Sequence, residues 1–167
     1  DFILPAYEAG ALACVTEREI ETDRPYILVE DSIAAFQALA EFYKSLFDVK
    51  TIGITGSVGK TTTKDIIAGV LSEKYNVLKT NGNFNNDIGV PITLFSLDKG
   101  HTAAVVEMGM NHRGEIDVLA EAVTPHIGVI TNVGVSHIEN LGSREGILKA
   151  KCEMLPHIRK GGFAVLN

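Results

Sequence analysis

The chain has 167 residues, of which 46% are apolar, and its formal net charge at pH 7 is −6. This length suits one ordinary domain, or one domain with part of a second, and the apolar fraction is sufficient for a packed core. The sequence has no cluster of Lys and Arg that would bind a phosphate backbone, so nucleic acid is not an expected partner.

No apolar run approaches the length of a membrane-spanning helix and no signal peptide is visible, so we expect no membrane insertion. Cys14 and Cys152 lie far apart in the sequence, without the spacing of metal ligands. Both are therefore expected to be reduced thiols of a cytoplasmic protein. We also expect the protein to be a monomer.

Residues 1–48 are predicted to form part of a small α/β domain, followed by a second domain at 49–167. A helix is expected to end at Gly10, and the apolar runs at 11–15 and 26–29 have the length of strands. Asp31 and Ser32 suit the start of a helix. Apolar residues then recur every three or four positions over 33–47, which predicts a helix with one buried face.

From residue 50 onward, strand and helix patterns alternate. Strands are predicted at 51–55, 76–79, 103–108, 126–131 and 163–166, and helices at 60–73, 90–96, 114–123 and 143–155. This alternation is typical of an α/β fold in which a parallel sheet carries helices on both faces. Ligands of such sheets bind beyond the carboxyl ends of the strands, where we therefore expect the functional residues.

A glycine-rich turn joins the first of these strands to its helix. Two glycines three positions apart allow a tight turn that brings backbone N–H groups against an anion, and the helix N-terminus adds a partial positive charge. Lys60 is expected to supply a full charge to the outer phosphates, and the Thr61 hydroxyl an oxygen ligand to magnesium. The predicted phosphate-binding residues are Thr55, Gly56, Ser57, Val58, Gly59, Lys60, Thr61 and Thr62.

The strict P-loop pattern has a glycine five positions before its Gly-Lys pair, and this chain has Ile54 there, so only a shorter form of the motif is present. The alternative is a glycine-rich turn that precedes a lysine by chance. The strand before the turn and the helix after it favour the phosphate-binding interpretation.

Two further strand ends carry candidate metal ligands. Glu107 closes an apolar strand, where its carboxylate is placed to share a magnesium ion with Thr61. His137 follows the next strand, and a neutral imidazole is also a metal ligand. The alternatives are an ordinary charged strand end and a solvated loop histidine.

A polar loop at 81–91 follows the second strand of this domain. Its amide side chains suit the recognition of a polar substrate, because each both donates and accepts hydrogen bonds. The alternative is a turn-rich connection. The asparagines of this loop are Asn81, Asn83, Asn85 and Asn86.

Together these motifs resemble the Mur ligases. The resemblance covers nearly all of 50–167, while 1–47 resembles the later part of the N-terminal UDP-sugar-binding domain of that family. The member that adds D-alanyl-D-alanine to UDP-N-acetylmuramoyl-tripeptide is the most similar, on the basis of the block 107–116. The matching segments are 53–63, 80–91, Glu107-Met108-Gly109-Met110 with Gly114-Glu115-Ile116, and Thr131-Asn132 with Gly134 and His137.

The resemblance implies specific roles. Lys60 and the loop backbone would hold the phosphates of ATP, and Thr61 and Glu107 would bind one Mg²⁺ ion. His137 would bind a second ion, with a carbamylated lysine that the family places fourteen residues later, at Lys151 here. Lys149 is the nearby competitor, and a solvated helix face is the alternative for both lysines. Asn83, Asn85 and Asn86 would line the muramoyl-peptide site.

The implied activity is ATP-dependent amide ligation through an acyl phosphate, in the synthesis of peptidoglycan precursors. Two other functions stay open: a folylpolyglutamate synthase-type ligase, and a nucleotide-binding module without chemistry. The chain starts without Met and ends on a strand-like run, so we expect it to be an excerpt of a longer ligase. We expect this polypeptide alone to be inactive or nearly so, because the C-terminal domain that closes over ATP in the family would be missing.

Overall fold

The computed structural model describes residues 2–167. The chain divides into two compact units, 1–36 and 37–167, and this division lies inside a helix rather than near residue 48. The second half of that helix packs with the larger unit. Ala40 is completely buried in the core of that unit, and Tyr43 and Phe47 pack against the same core.

The smaller unit contains helix α1 (Ile3–Glu8) and two parallel strands, β1 (Cys14–Thr16) and β2 (Tyr26–Leu28). The first strand was expected at 11–15, but it starts later because the Ala11 N–H donates to the Ala6 carbonyl in the turn that ends α1. Helix α2 (Ser32–Ser45) begins where predicted. The Asp31 carboxylate caps it by accepting from the backbone N–H groups of the second and third residues that follow, at 2.8 and 2.9 Å.

Five parallel strands form the sheet of the larger unit, in the order β4-β5-β3-β6-β7. The strands are β3 (Lys50–Thr55), β4 (Val77–Lys79), β5 (Ala103–Glu107), β6 (Ile127–Ile130) and β7 (Phe163–Leu166). The predicted parallel α/β fold is therefore confirmed. Ile54 of β3 pairs with Glu107 of β5, and Thr55 pairs with Ile130 of β6, so the three central strands end at one edge of the sheet.

Helices cover both faces of this sheet, as predicted. They are α3 (Lys60–Ser72), α4 (Gly89–Phe95), α5 (Glu115–Val123), α6 (Ile138–Leu141) and α7 (Arg144–Cys152), with a 3₁₀ turn at Leu155–His157. The helix expected at 143–155 ends at Cys152, because Pro156 lacks an N–H group and disfavours an α conformation in the residue before it. The four-residue α6 was not predicted, since it is too short to show a periodic pattern.

The two faces of the sheet bury separate hydrophobic clusters. On one face Ile52, Ile54 and Val105 pack with Ala68 of α3. On the other face Val106 belongs to a larger cluster to which α4, α5 and α7 also contribute. Because neighbouring residues of one strand point to opposite faces, β5 is buried on both sides, which explains its continuous apolar sequence.

Both cysteines are free thiols, as expected from their separation in the sequence. Within residues 2–167, no helix combines the length and the apolar character needed to cross a bilayer.

Gly89 and Gly69 should respond oppositely to replacement by alanine. A Cβ atom at Gly89 would lie 2.5 Å from the backbone carbonyl carbon of Phe84, whereas one at Gly69 has nothing within 4 Å. Gly89→Ala should therefore lower the free energy of unfolding by about 2 kcal/mol, because backbone cannot move aside as a side chain can. Gly69→Ala should raise it by about 0.5–1 kcal/mol, since alanine favours a helix interior. Urea unfolding measures both, and equal effects would contradict the packing described here.

Candidate active site

The phosphate-binding loop (56–62) follows β3 directly and runs into α3. Gly59 has a φ of 80° and lies at the N-cap of α3. Gly56 has a φ of 152°, and a Cβ atom there would lie 1.8 Å from Thr131 Oγ1. Both glycines are therefore required, Gly56 because it touches the neighbouring loop and Gly59 because of its left-handed backbone.

The N–H groups at the start of α3 point to an anion site. In the part of the chain that the structure describes, no acceptor bonds the N–H groups of Gly59, Lys60, Thr61 or Thr62. The Lys60 ammonium donates to the Gly56 carbonyl at 3.0 Å, which holds the charge over the loop. Free N–H groups, a helix N-terminus and an ammonium together suit a bound phosphate.

Glu107 lies at the end of β5 with only 2% of its surface exposed. Its Oε2 accepts from Thr61 Oγ1 at 2.9 Å, and its Oε1 accepts from Asn85 Nδ2 at 2.8 Å. Its backbone N–H donates to Thr80 Oγ1 at 2.9 Å. The structure thus brings Thr61 and Glu107 together beside the phosphate-binding loop, and adds Asn85 to the same cluster.

The three asparagines predicted at the muramoyl-peptide site have different environments. Asn85 bonds Glu107, and Asn86 Oδ1 accepts from the Gly89 N–H at 2.8 Å, which caps α4. The Asn83 side chain is exposed. All three border an open cavity of about 420 Å³ beside the polar loop.

His137 is not brought to Glu107 by any contact. It lies at the N-cap of α6 with a left-handed backbone, φ 64°, and its imidazole is exposed. Among residues 2–167, no three His, Cys, Asp or Glu side chains gather as metal ligands. Thr61 and Glu107 are hydrogen-bonded to each other, and no hydrogen bond or ion pair among residues 2–167 joins His137 to either of them.

The two candidate lysines of α7 differ sharply. Lys149 is exposed and forms an ion pair with Glu145 at 2.8 Å. Lys151 is 2% exposed, and burial, with the positive charge of Lys60 nearby, lowers its pKa to about 8. Lys151 therefore faces the site, and Lys149 lies on the solvated side of the helix.

Asn132 was not predicted as a site residue, although it follows a strand end as the predicted residues do. Its Oδ1 accepts from the backbone N–H groups of Ser57 and Val58, at 3.1 and 3.0 Å. Thr80 was also missed, because a threonine at a strand end is ordinary until its partner is known.

Comparison with known families identifies the group to which this arrangement belongs. The Mur ligase middle domain matches residues 54–167. The chain belongs to the Mur ligase family. It is 50% identical over 169 residues to the UDP-N-acetylmuramoyl-tripeptide–D-alanyl-D-alanine ligase of Synechocystis sp., an alignment that covers 99% of this chain and 37% of that protein.

Solved Mur ligases have the same fold. Crystal structure I of MurF from Acinetobacter baumannii has a TM-score of 0.93 at 40% identity and covers 99% of this chain and 37% of that one. MurF ligase from Thermotoga maritima in complex with ADP has a TM-score of 0.92 at 37% identity, covering 99% of this chain and 39% of that one. The chain thus spans little more than a third of the length of these Mur ligases.

The folylpolyglutamate alternative has weaker support. E. coli FolC in complex with ADP, without folate substrate, has a TM-score of 0.55 at 14% identity and covers 79% of this chain and 41% of that one. Identity this low shows a shared fold and nothing about substrate.

Asn85 and Asn83 provide a matched pair of substitutions. Asn85→Ala removes a donor from the buried Glu107 carboxylate and should lower the free energy of unfolding by about 1–3 kcal/mol. Asn83→Ala, at an exposed side chain, should change it by less than about 0.5 kcal/mol. Urea unfolding of the two variants tests the separation, and equal losses would show that Asn85 does not support the carboxylate.

Proposed function

We propose that this chain is the ATP-binding part of a cytoplasmic ligase that joins D-alanyl-D-alanine to UDP-N-acetylmuramoyl-tripeptide. The observation that carries the proposal is the hydrogen bond between Thr61 and Glu107, together with the Lys60 ammonium held at the Gly56 carbonyl. Relatives with 50 and 44% identity over nearly the whole chain are ligases of this name, which supports the choice of substrates.

The phosphates of ATP fit the start of α3. Four free N–H groups and the Lys60 ammonium would bind them, and the T. maritima relative was solved with ADP. Thr55, the last residue of β3, carries a buried hydroxyl without a hydrogen-bond partner among residues 2–167. An unpaired buried hydroxyl is costly, so a polar ligand at the loop is the expected partner.

Magnesium fits the pair of side-chain oxygens on Thr61 and Glu107, because Mg²⁺ prefers oxygen ligands and takes several from phosphates and water. When bound, the metal neutralises charge on the phosphoryl group being transferred. We propose His137 and Lys151 as ligands of a second ion, from their places at the start of α6 and within α7.

The proposed ligation has two steps, phosphoryl transfer and amide formation. The tripeptide carboxylate attacks the γ-phosphorus of ATP, ADP leaves, and an acyl phosphate forms. The amine of D-alanyl-D-alanine then attacks the acyl carbon, loses a proton and displaces phosphate. Lys60 stabilises the negative charge of the phosphoryl group in the first step, which depends mainly on positioning and charge neutralisation.

Lys151 is suited to become a carbamate. Its neutral amine would add to CO₂ with loss of one proton, which replaces a buried cation by an anionic oxygen ligand. With a pKa of about 8, roughly a tenth of the side chain is neutral at pH 7, far more than for an ordinary lysine. Lys149 is instead exposed and ion-paired with Glu145.

The acceptor is proposed to bind beside the polar loop, which ends at Ile88 because α4 begins at Gly89. Asn83 is exposed and its side chain makes no hydrogen bond among residues 2–167, whereas Asn85 bonds Glu107 and Asn86 caps α4. We propose that the smaller unit belongs to the UDP-sugar-binding domain.

Acceptor-dependent ATP hydrolysis tests this function. The full-length protein should release ADP when UDP-N-acetylmuramoyl-tripeptide and D-alanyl-D-alanine are present, and not with a folate acceptor. Lys60→Ala should abolish acyl-phosphate formation, because the phosphoryl group then lacks its fixed positive charge. Folate-dependent hydrolysis would indicate the related synthase, and ATP binding that no muramoyl peptide alters would indicate a module without chemistry. Near-normal phosphoryl transfer in Lys60→Ala would refute the assignment of Lys60.

The carbamate is tested with Lys151→Ala and Lys149→Ala in the same protein. With ¹³C-labelled bicarbonate, the unaltered protein should show a carbamate resonance by NMR that grows as pH rises through 8, because only the neutral amine reacts. Lys151→Ala should lose this resonance and most of its ligase activity, whereas Lys149→Ala should keep both. A resonance that persists in Lys151→Ala would place the modification elsewhere.

A further inference from the structure

The phosphate-binding loop is hydrogen-bonded to the loop that follows β6 (the β6 loop, 131–137). Thr131 Oγ1 donates to the Val58 carbonyl at 2.7 Å, and the Gly134 N–H donates to Ser57 Oγ at 2.9 Å. Gly56 lies so close to Thr131 that any side chain there would collide with it. The two loops are therefore packed as one unit, although they lie about 75 residues apart in sequence.

Asn132 makes the contacts that bear most directly on nucleotide binding. Its Oδ1 accepts from the N–H groups of both Ser57 and Val58, and its backbone carbonyl also accepts from Ser57 at 3.2 Å. The N–H groups of Ser57 and Val58 are thus bonded within the protein, and those of residues 59–62 are available to a phosphate.

We infer that Asn132 is a positioning residue for nucleotide binding, which holds the phosphate-binding loop in its receptive shape before ATP arrives. The inference rests on the function proposed above and assigns a role to a side chain outside the predicted phosphate and metal sites. A loop with two glycines has many accessible conformations, and ordering it at the moment of binding would weaken affinity. The amide of Asn132 orders the loop in advance.

The same contacts argue against a competing interpretation, in which the Asn132 oxygen is a plug that phosphate displaces. The bonds from Thr131 and Gly134, together with the Asn132 backbone carbonyl, hold this residue against Ser57 and Val58, so phosphate would have to displace its oxygen from a fixed position. The four free N–H groups are also sufficient for a phosphate without those of Ser57 and Val58. Asn132 therefore strengthens binding rather than opposing it.

Titration of the full-length protein with ADP, in the absence of acceptor substrates, tests the inference by calorimetry. Asn132→Ala should raise the Kd for ADP by about 10- to 30-fold, the loss expected for two hydrogen bonds. The KM for ATP should rise in parallel, while the KM for D-alanyl-D-alanine stays unchanged, a separation that general destabilisation does not produce. Asn140→Ala is the matched control, because Asn140 is exposed and its side chain makes no hydrogen bond within residues 2–167.

Thr131→Val is a second variant, in case Asn132→Ala does not fold. It keeps the shape that packs against Gly56 and removes only the bond to the Val58 carbonyl, so the Kd for ADP should rise by about 3- to 10-fold. Unchanged ADP affinity in a folded Asn132→Ala protein would overturn the positioning role, and tighter binding would show that Asn132 is a plug. Failure of the unaltered protein to bind ADP would instead contradict the proposed function, and the role of Asn132 with it.

Discussion

The burial of the Glu107 carboxylate is the constraint on which the rest of the site depends. A carboxyl group with 2% of its surface exposed is stable only if its oxygens are bonded, because the lost hydration costs several kcal/mol. The two donors are Thr61, from the first turn of α3, and Asn85, from the polar loop. The carboxylate therefore fixes the start of α3 and the polar loop against the end of β5. The phosphate-binding loop lies between β3 and α3, so its position follows from the same contacts.

The positive charges near the phosphate-binding loop favour an anionic ligand. Lys60 and Lys151 both lie near the loop, and the positive charge of Lys60 contributes to the lowered pKa of Lys151. Two cations in a partly buried region repel each other, and a nucleotide phosphate or a carbamate would relieve this repulsion. In the function proposed above, the same cations would also stabilise the phosphoryl transfer, because negative charge develops on the oxygen that leaves with ADP.

The sequence allowed prediction of the features that depend on local patterns. Alternating strand and helix periods gave the parallel sheet, and the spacing of Gly56, Gly59 and Lys60 gave the loop, because both are set by neighbouring residues. The partners of individual asparagines were not predictable. An amide suits a helix cap, a carboxylate or a substrate equally well, and only the fold decides that Asn86 caps α4 while Asn85 bonds Glu107. The bonds of Asn132 reach across about 75 residues, beyond any local pattern.

The departure from the strict P-loop pattern has a structural explanation in this chain. Ile54, which occupies the place of the first glycine of that pattern, is a completely buried residue of β3 that packs toward α3. The strand thus continues through a position that longer loops use for turning, and the remaining loop is short.

The sheet order puts β3 beside β6 at the point where the chain connections diverge to opposite sides, so the β6 loop lies next to the phosphate-binding loop. Thr131 and Asn132 of that neighbouring loop support the short phosphate-binding loop by hydrogen bonds. The contacts of Thr131, Asn132 and Gly134 with the phosphate-binding loop therefore also position the β6 loop, at whose end His137 begins α6.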